Sequence, residues 1–384
     1  MEILNDKINE YLKNAIEETL ALIETLCKIP APSGLEDARA AFCKDWLEKQ
    51  GARGVYIDAA KNVIYPVVCE NAEKIALFSA HTDTVFPDLE PMSFLRDEKY
   101  LHSPGVGDDT TCLAVMLMIA KYIAQNGLKT KDYGVLIVAN SCEEGLGNLK
   151  GIKQIMQDYA GKICRAYTFD GQYNALVNDC VGSHRYEITL KTEGGHSFRD
   201  FGNRNAIVAA ARLICRLNEC EIPVYENSRT TQNIGLITGG TSVNTIAQET
   251  EFFYEYRSNN AKCLAEMRAF FEEQIAWAQA ENIAEITVNT VGIRPCADGV
   301  DQAILAEISR NAVEISQKHS GIACVCGAGS TDCNIPMSQG VPAVCVGSYL
   351  GSGEHTREEK VEIDSIPIGL KIAAELILQY FDQE

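Results

Sequence analysis

Five short clusters in this chain carry residues able to do chemistry: His81 with Asp83, Asp108 with Asp109, Glu143 with Glu144, Asp170, and His355. Two imidazoles and several carboxylates, with no thiolate among them, form a ligand set suited to zinc, with cobalt or manganese possible. A mononuclear hydrolytic site would need three ligands. This set has enough for two ions sharing a bridging carboxylate, about 3.5 Å apart in sites of that kind. One glutamate then remains unliganded. A base in that position can take the proton of an attacking water and pass it to a leaving amine. The chemistry is that of a hydrolase.

The elements that must position these groups repeat one shape. Lys74-Ile-Ala-Leu-Phe-Ser-Ala is apolar enough for a strand buried on both faces, and it stops at His81-Thr-Asp83. Residues i and i+2 of extended chain share a side, so the Asp83 carboxylate can meet and orient the His81 ring. Val135 to Ala139 is a second apolar strand, ending in Asn140-Ser-Cys-Glu143-Glu144-Gly145. Adjacent acids at the edge of a low-dielectric core imply a positive partner. A third strand runs from Ala166 into Asp170-Gly171, and Pro342 to Gly347 leads to Gly353-Glu-His355. Asp108 and Asp109 follow a glycine-containing loop and start an apolar helix that Gly127 stops. One of them suffices as an N-cap; the other is left to face whatever His81 faces. Strands alternating with helices predict a mostly parallel sheet, whose ligands bind at the carboxyl ends of its strands. Every strand-borne polar cluster lies at such an end, and Asp108 and Asp109 lie at a helix start.

At 384 residues the chain is long enough for two domains. Ile8, Leu12, Ile16, Leu20 and Ile23 predict one amphipathic helix over about 5–27, and a second spans Glu36 to Gln50. Between about Asn178 and Pro295 the pattern changes to alternating strands, such as Ser183 to Lys191 and Glu249 to Arg257, separated by two helices. The order β-α-β-β-α-β reads as a ferredoxin-like insert, expected to be a separate lid. The predicted division is thus a catalytic domain over 1–178 and 295–384, with the insert at 179–294. The net charge of −19 argues against nucleic acid or an anionic membrane as partner. No run is apolar enough to span a bilayer. Fifteen cysteines without a Cys-x-x-Cys pair, and charged first residues, fit reduced thiols in the cytoplasm.

Taken together, the sequence resembles the dinuclear zinc exopeptidases that include peptidase T, bacterial glutamate carboxypeptidase, acetylornithine deacetylase and aminoacylase. The resemblance covers essentially the whole chain. It rests on His81-Thr-Asp83, Gly107-Asp108-Asp109, Glu143-Glu144-Gly145, Phe169-Asp170-Gly171, Gly194-Gly-His196-Ser197 and His355, in that order. It implies that His81, Asp108 and Asp170 ligate one metal and Asp108, Glu144 and His355 the other, with Asp108 bridging. Asp83 would orient His81, and Glu143 would be the general base. His196 of the insert would reach the active site of a partner subunit in a homodimer and help stabilise an oxyanion. Asn244 and Arg257 would hold the substrate's carboxylate or backbone, a role suited to the arginine fork.

The aspartate at 170 resembles aminopeptidases and dipeptidases such as peptidase T; carboxypeptidases and deacetylases of this kind usually carry a glutamate there. Asp109-Thr110-Thr111 departs from the family pattern, leaving the ligands intact but altering neighbouring substrate contacts. The expectation is a tripeptide aminopeptidase or dipeptidase acting on short peptides. The rivals are an N-acyl amino acid deacylase or carboxypeptidase with the same metals, and a metal-binding protein without activity. Plainer readings cover the remaining residues: His102, His184 and His319 as packing or surface groups, Cys142 as a small buried residue, Cys324 and Cys326 as strand packing, and Glu358 to Glu362 as a solvated face.

Overall fold

Ile75–His81 and Gly134–Asn140 are buried along their whole length, so both faces of their sheet must be covered. The computed structural model, which describes residues 3–145, 147–225 and 228–382, shows how. Eight strands form the main sheet: β1 (Tyr56–Ile57), β2 (Val63–Val67), β3 (Ile75–His81), β4 (Gly134–Asn140), β5 (Ile163–Phe169), β6 (Ala175–Cys180), β7 (Val325–Gly329) and β8 (Ala343–Val346). Their spatial order is β1-β2-β4-β3-β5-β8-β6-β7. β4, β3, β5 and β8 are neighbours and mutually parallel. Antiparallel pairings, β2 with β4 and β8 with β6, flank this central block. The helix Cys112–Asn126 is buried almost all round, and Ile366–Leu378 packs on it. Phe78 stacks on Tyr167 at 4.9 Å between ring centres, joining β3 to β5.

Contacts divide the chain into two units, residues 1–180 with 299–384, and residues 181–298. In the second unit the strands lie in the order Thr230–Gly239, Glu249–Ser258, Gly182–Lys191, Glu285–Arg294, all antiparallel. The helices Ala206–Asn218 and Ala261–Ala280 complete a ferredoxin-like β-α-β-β-α-β. Alternate residues Tyr186, Ile188 and Leu190 face a core shared with Phe252, Tyr254, Leu213 and Phe271.

Two local expectations change. The first amphipathic stretch is two helices, Asp6–Asn14 and Ile16–Cys27, joined at Ala15, where no proline or glycine signals the break. Asp108 and Asp109 do not cap a helix. Their backbones are non-helical, at φ −94°, ψ 97° and φ −120°, ψ 20°, with a cis peptide between them, and the regular helix begins at Cys112. Among the described residues no helix is long and apolar enough to cross a membrane, and no disulfide forms.

Candidate metal centre

Because β4, β3, β5 and β8 run parallel side by side, their carboxyl ends open on one edge. His81 ends β3, the Glu143-Glu144 pair follows β4, Asp170 follows β5, and His355 lies on the loop after β8. The loop before Cys112–Asn126 brings Asp108 between the two histidines. Its Oδ1 is 3.0 Å from His81 Nε2, and its Oδ2 is 2.9 Å from His355 Nε2. Glu144 Oε1 stands 3.5 Å from the same His355 nitrogen. One carboxylate therefore engages two imidazoles, one through each oxygen. Gly107 lets this loop approach: a Cβ there would fall 2.6 Å from the Tyr349 hydroxyl.

Donor atoms of His81, Asp108 and Glu144 lie within 4.8 Å of one another, and so do those of His81, Asp109 and Asp170. The second group differs from the ligand set expected from sequence, since Asp109 stands with His81 and Asp170 where Asp108 was assigned. Asp109 Oδ2 accepts the backbone N–H of His81 at 2.9 Å, while its buried Oδ1 has no hydrogen-bond partner. Glu144 Oε1 is likewise buried without a hydrogen bond. Leaving such oxygens unsatisfied is costly. Divalent cations among these donors would satisfy them, so the residues present fit a metal pair.

The electrostatics agree. Burial opposes a charged His81, but Asp109, Asp108 and Asp83 together raise its pKa well above the usual histidine value. The Asp108 carboxylate, hydrogen-bonded at 2.9 Å, and then the Glu144 carboxylate at 3.5 Å raise His355 to about 11. Burial, then the charge of Asp108, pushes Asp170 up to about 8. Protons are thus held where cations would sit.

Asp83 contacts the His81 ring and also a second group. His81 Nδ1 lies 3.0 Å from the Asp83 carbonyl oxygen, whereas the nearer carboxylate oxygen is 3.4 Å away. The Asp83 carboxylate also accepts the backbone N–H groups of Glu143 and Glu144, at 2.9 and 3.0 Å, and the Ser33 hydroxyl at 2.6 Å. It fixes the turn that carries both glutamates, and its backbone fixes the imidazole.

His196 pairs across a short ladder with Thr245, and Ser197 N–H donates to the Asn244 carbonyl at 3.0 Å, so His196 and Asn244 belong to one corner. Arg257 pairs in register with Ser183, at the far end of the strand Glu249–Ser258. Eight residues of strand separate Arg257 from Glu249, roughly 26 Å at about 3.3 Å each. The Arg257 guanidinium is forked on Glu255, at 3.0 and 3.1 Å, where a group open to substrate was expected.

The model of peptidase family M20/M25/M40 matches residues 77–379. The chain belongs to this family. A tripeptidase from Staphylococcus aureus shares the fold with a TM-score of 0.73 and 21% identity, over 95% of this chain and 98% of that one. A dinuclear metal-binding M20 peptidase from Bacillus subtilis superposes with a TM-score of 0.64 and 16% identity, over 96% and 98%. A succinyl-diaminopimelate desuccinylase from Corynebacterium glutamicum is 22% identical over 215 residues, 55% of this chain and 58% of its own length. The protein is therefore a metallopeptidase of the M20 family.

Around this M20 centre lie groups that the sequence does not announce. Arg39, fully buried, donates from Nη1 to the Thr82 carbonyl at 2.9 Å and from Nη2 to the Leu26 and Ile29 carbonyls. Buried Glu36 accepts the amides of Gly34 and Cys142 at 2.7 and 3.2 Å. Asn140 donates to buried Asp332 at 2.5 Å. Glu359, read from sequence as part of a solvated face, is 1% exposed and turned inward. The Cys142 thiol is pushed up to about 12 by burial and then by Glu36, which makes it a poor nucleophile and agrees with its reading as a small buried residue.

Proposed function

We propose that this metallopeptidase is a dinuclear exopeptidase that hydrolyses short peptides from the amino end, with Zn2+ as its metal and Co2+ or Mn2+ able to substitute. The observation that carries the reading is Asp108, whose two oxygens face His81 on one side and His355 on the other. His81, Asp108, Glu144, Asp170 and His355 would hold the ions, with Asp109 close behind His81. Held there, such ions would supply Lewis-acid polarisation of a peptide carbonyl and of an attacking water. Glu143 takes that water's proton and delivers it to the departing amine. Asp83 keeps Glu143 in place through the two amide bonds described above, and its carbonyl keeps the His81 ring turned so that Nε2 faces Asp108.

The aspartate at 170 and the likeness to the staphylococcal tripeptidase support an aminopeptidase or dipeptidase. The likeness to a desuccinylase favours a second reading, an N-acyl amino acid deacylase or carboxypeptidase. A panel of unblocked tripeptides and N-acyl amino acids separates the two. Unblocked tripeptides are expected to turn over at least tenfold faster, measured as kcat/KM; turnover of the blocked substrates alone ends the aminopeptidase reading.

We further propose a homodimer in the cytoplasm, joined through the insert acting as a lid, with His196 entering the partner subunit's site and Asn244 and Arg257 contacting substrate. Their placement supports a division of labour. A tripeptide spans about 11 Å fully extended, too little to touch His196 and Arg257 of one insert together.

Metal uptake carries its own prediction. Metal ligands must be deprotonated, whereas at pH 7 the metal-free protein holds protons on His81 and His355, and on Asp170 below about pH 8. Loading at pH 7 is therefore expected to release protons, and affinity should rise as pH rises toward the value for His355. Calorimetric titration in two buffers of different protonation enthalpy measures the release; a binding enthalpy independent of buffer contradicts it.

A further inference from the structure

Glu359 belongs to the same loop as His355, yet its side chain serves the other loop of the centre. Its Oε2 accepts the amide of Gly105 at 2.6 Å, and its Oε1 accepts the amides of Gly107 and Asp108, each at 2.8 Å. Three backbone N–H groups thus converge on the two oxygens of one buried carboxyl group and occupy both of them. The two loops are already joined on the outer side. The strands Tyr100–His102 and Lys360–Glu362 pair antiparallel, and the Glu359 carbonyl accepts the Ser103 amide at 3.2 Å. Beyond Ser103 the chain turns through Gly105, at φ +70°, into the non-helical stretch holding Asp108 and Asp109, which has no regular ladder of its own. The Glu359 carboxylate replaces that ladder.

From this joint Asp108 and His355 leave in opposite directions along the chain and meet again at 2.9 Å. The result is a closed ring: Glu359 to the Asp108 amide, the Asp108 carboxylate to His355, and residues 356–358 back to Glu359. We infer that Glu359 is a positioning residue for the metal pair, holding the Asp108 carboxylate at the spacing from His355 that lets one acid serve two ions. This rests on the dinuclear reading above. Glu359 itself touches neither ion nor substrate; it acts through Asp108. The carboxylate is required, because an amide at this position turns Nε2–H donors toward donors: the Glu359→Gln side chain can keep the Gly107 and Asp108 bonds or the Gly105 bond, and turns an N–H toward the remainder.

The test is Co2+ titration of the metal-free protein, followed by chelator competition and by the visible spectrum of the bound ion, for wild type, E359Q and the exposed neighbour E358Q. E359Q is expected to bind Co2+ about 10 to 100-fold more weakly, with an altered spectrum, as for other groups that orient a metal ligand. E358Q should match wild type. Circular dichroism in chelator establishes that each variant is folded. If E359Q does not fold, E359D, which keeps the charge with a shorter reach, takes its place and should fall between wild type and the expected E359Q loss. Wild-type affinity and spectrum in a folded E359Q or E359D overturn the inference, as does an affinity that falls only in step with the folded fraction. Failure of wild type itself to take up two ions would instead overturn the dinuclear reading.

Discussion

Replacing Glu143 with alanine is expected to lower kcat by roughly 10²- to 10⁴-fold while metal content stays at the wild-type level. The two glutamates after β4 are adjacent in sequence and held by the same acid, Asp83, yet their surroundings differ. Glu144 shares its Oε1 with His355 and stands in a metal-sized cluster with His81 and Asp108. Glu143 is in neither cluster of potential ligands. Its removal should therefore take away the proton acceptor and leave the cation donors in place. Metal analysis beside steady-state kinetics separates the two effects. A variant that loses metal together with activity would reassign Glu143 as a ligand, and one retaining activity within tenfold would leave the base unidentified.

Asp108→Asn is expected to do the opposite and abolish uptake of at least one ion, with activity falling by more than about 10²-fold, beyond the loss typical of groups that merely support a ligand. Among the described residues Asp108 is the one group bonded to both histidines, and its ionised form is strongly favoured: burial opposes the charge, but His355 and His81 overcome it and hold its pKa well below the ordinary aspartate value. Asparagine keeps the shape and removes the charge. His355 then loses the first of the two carboxylates that raise its pKa, so proton release on loading at pH 7 should shrink as well. Full metal occupancy in this variant would contradict a bridging role.

The ends of β3, β4 and β5 were legible because a strand buried on both faces has a distinctive apolar composition, and a charged residue at its tip stands out against it. His81, Glu143, Glu144 and Asp170 were found this way, and the ferredoxin-like order of the insert followed from alternation alone. Asp108 was found but its local structure was misread. An acid before an apolar helix looks like a cap whether or not the backbone there is helical, and nothing local tells the two apart. Glu359 and Arg39 were missed for a related reason. Both sit in stretches whose polarity fits a solvent-facing surface, and their burial depends on chain segments far away: Glu359 lies beneath residues 105–108, and Arg39 beside Thr82. For Asp83, period-two geometry permits the carboxylate approach to His81, seen at 3.4 Å, but does not reveal the Glu143 and Glu144 amides that the same carboxylate accepts.

The place of β8 in the sheet has a consequence for biosynthesis. It lies between β5 and β6 and is translated only after the whole of residues 181–298. A nascent chain that has emerged through the insert carries β5 as an open sheet edge and β6 with neither of its partners, β7 or β8, a strand edge able to recruit strands from other polypeptides. It also holds His81, Asp108, Glu144 and Asp170 without His355 or Glu359. The insert has its own core and can fold while the larger unit waits. Only when the ribosome has passed residue 359 are the ligands of the proposed metal pair all present, so the centre is the last part of the catalytic unit to be completed.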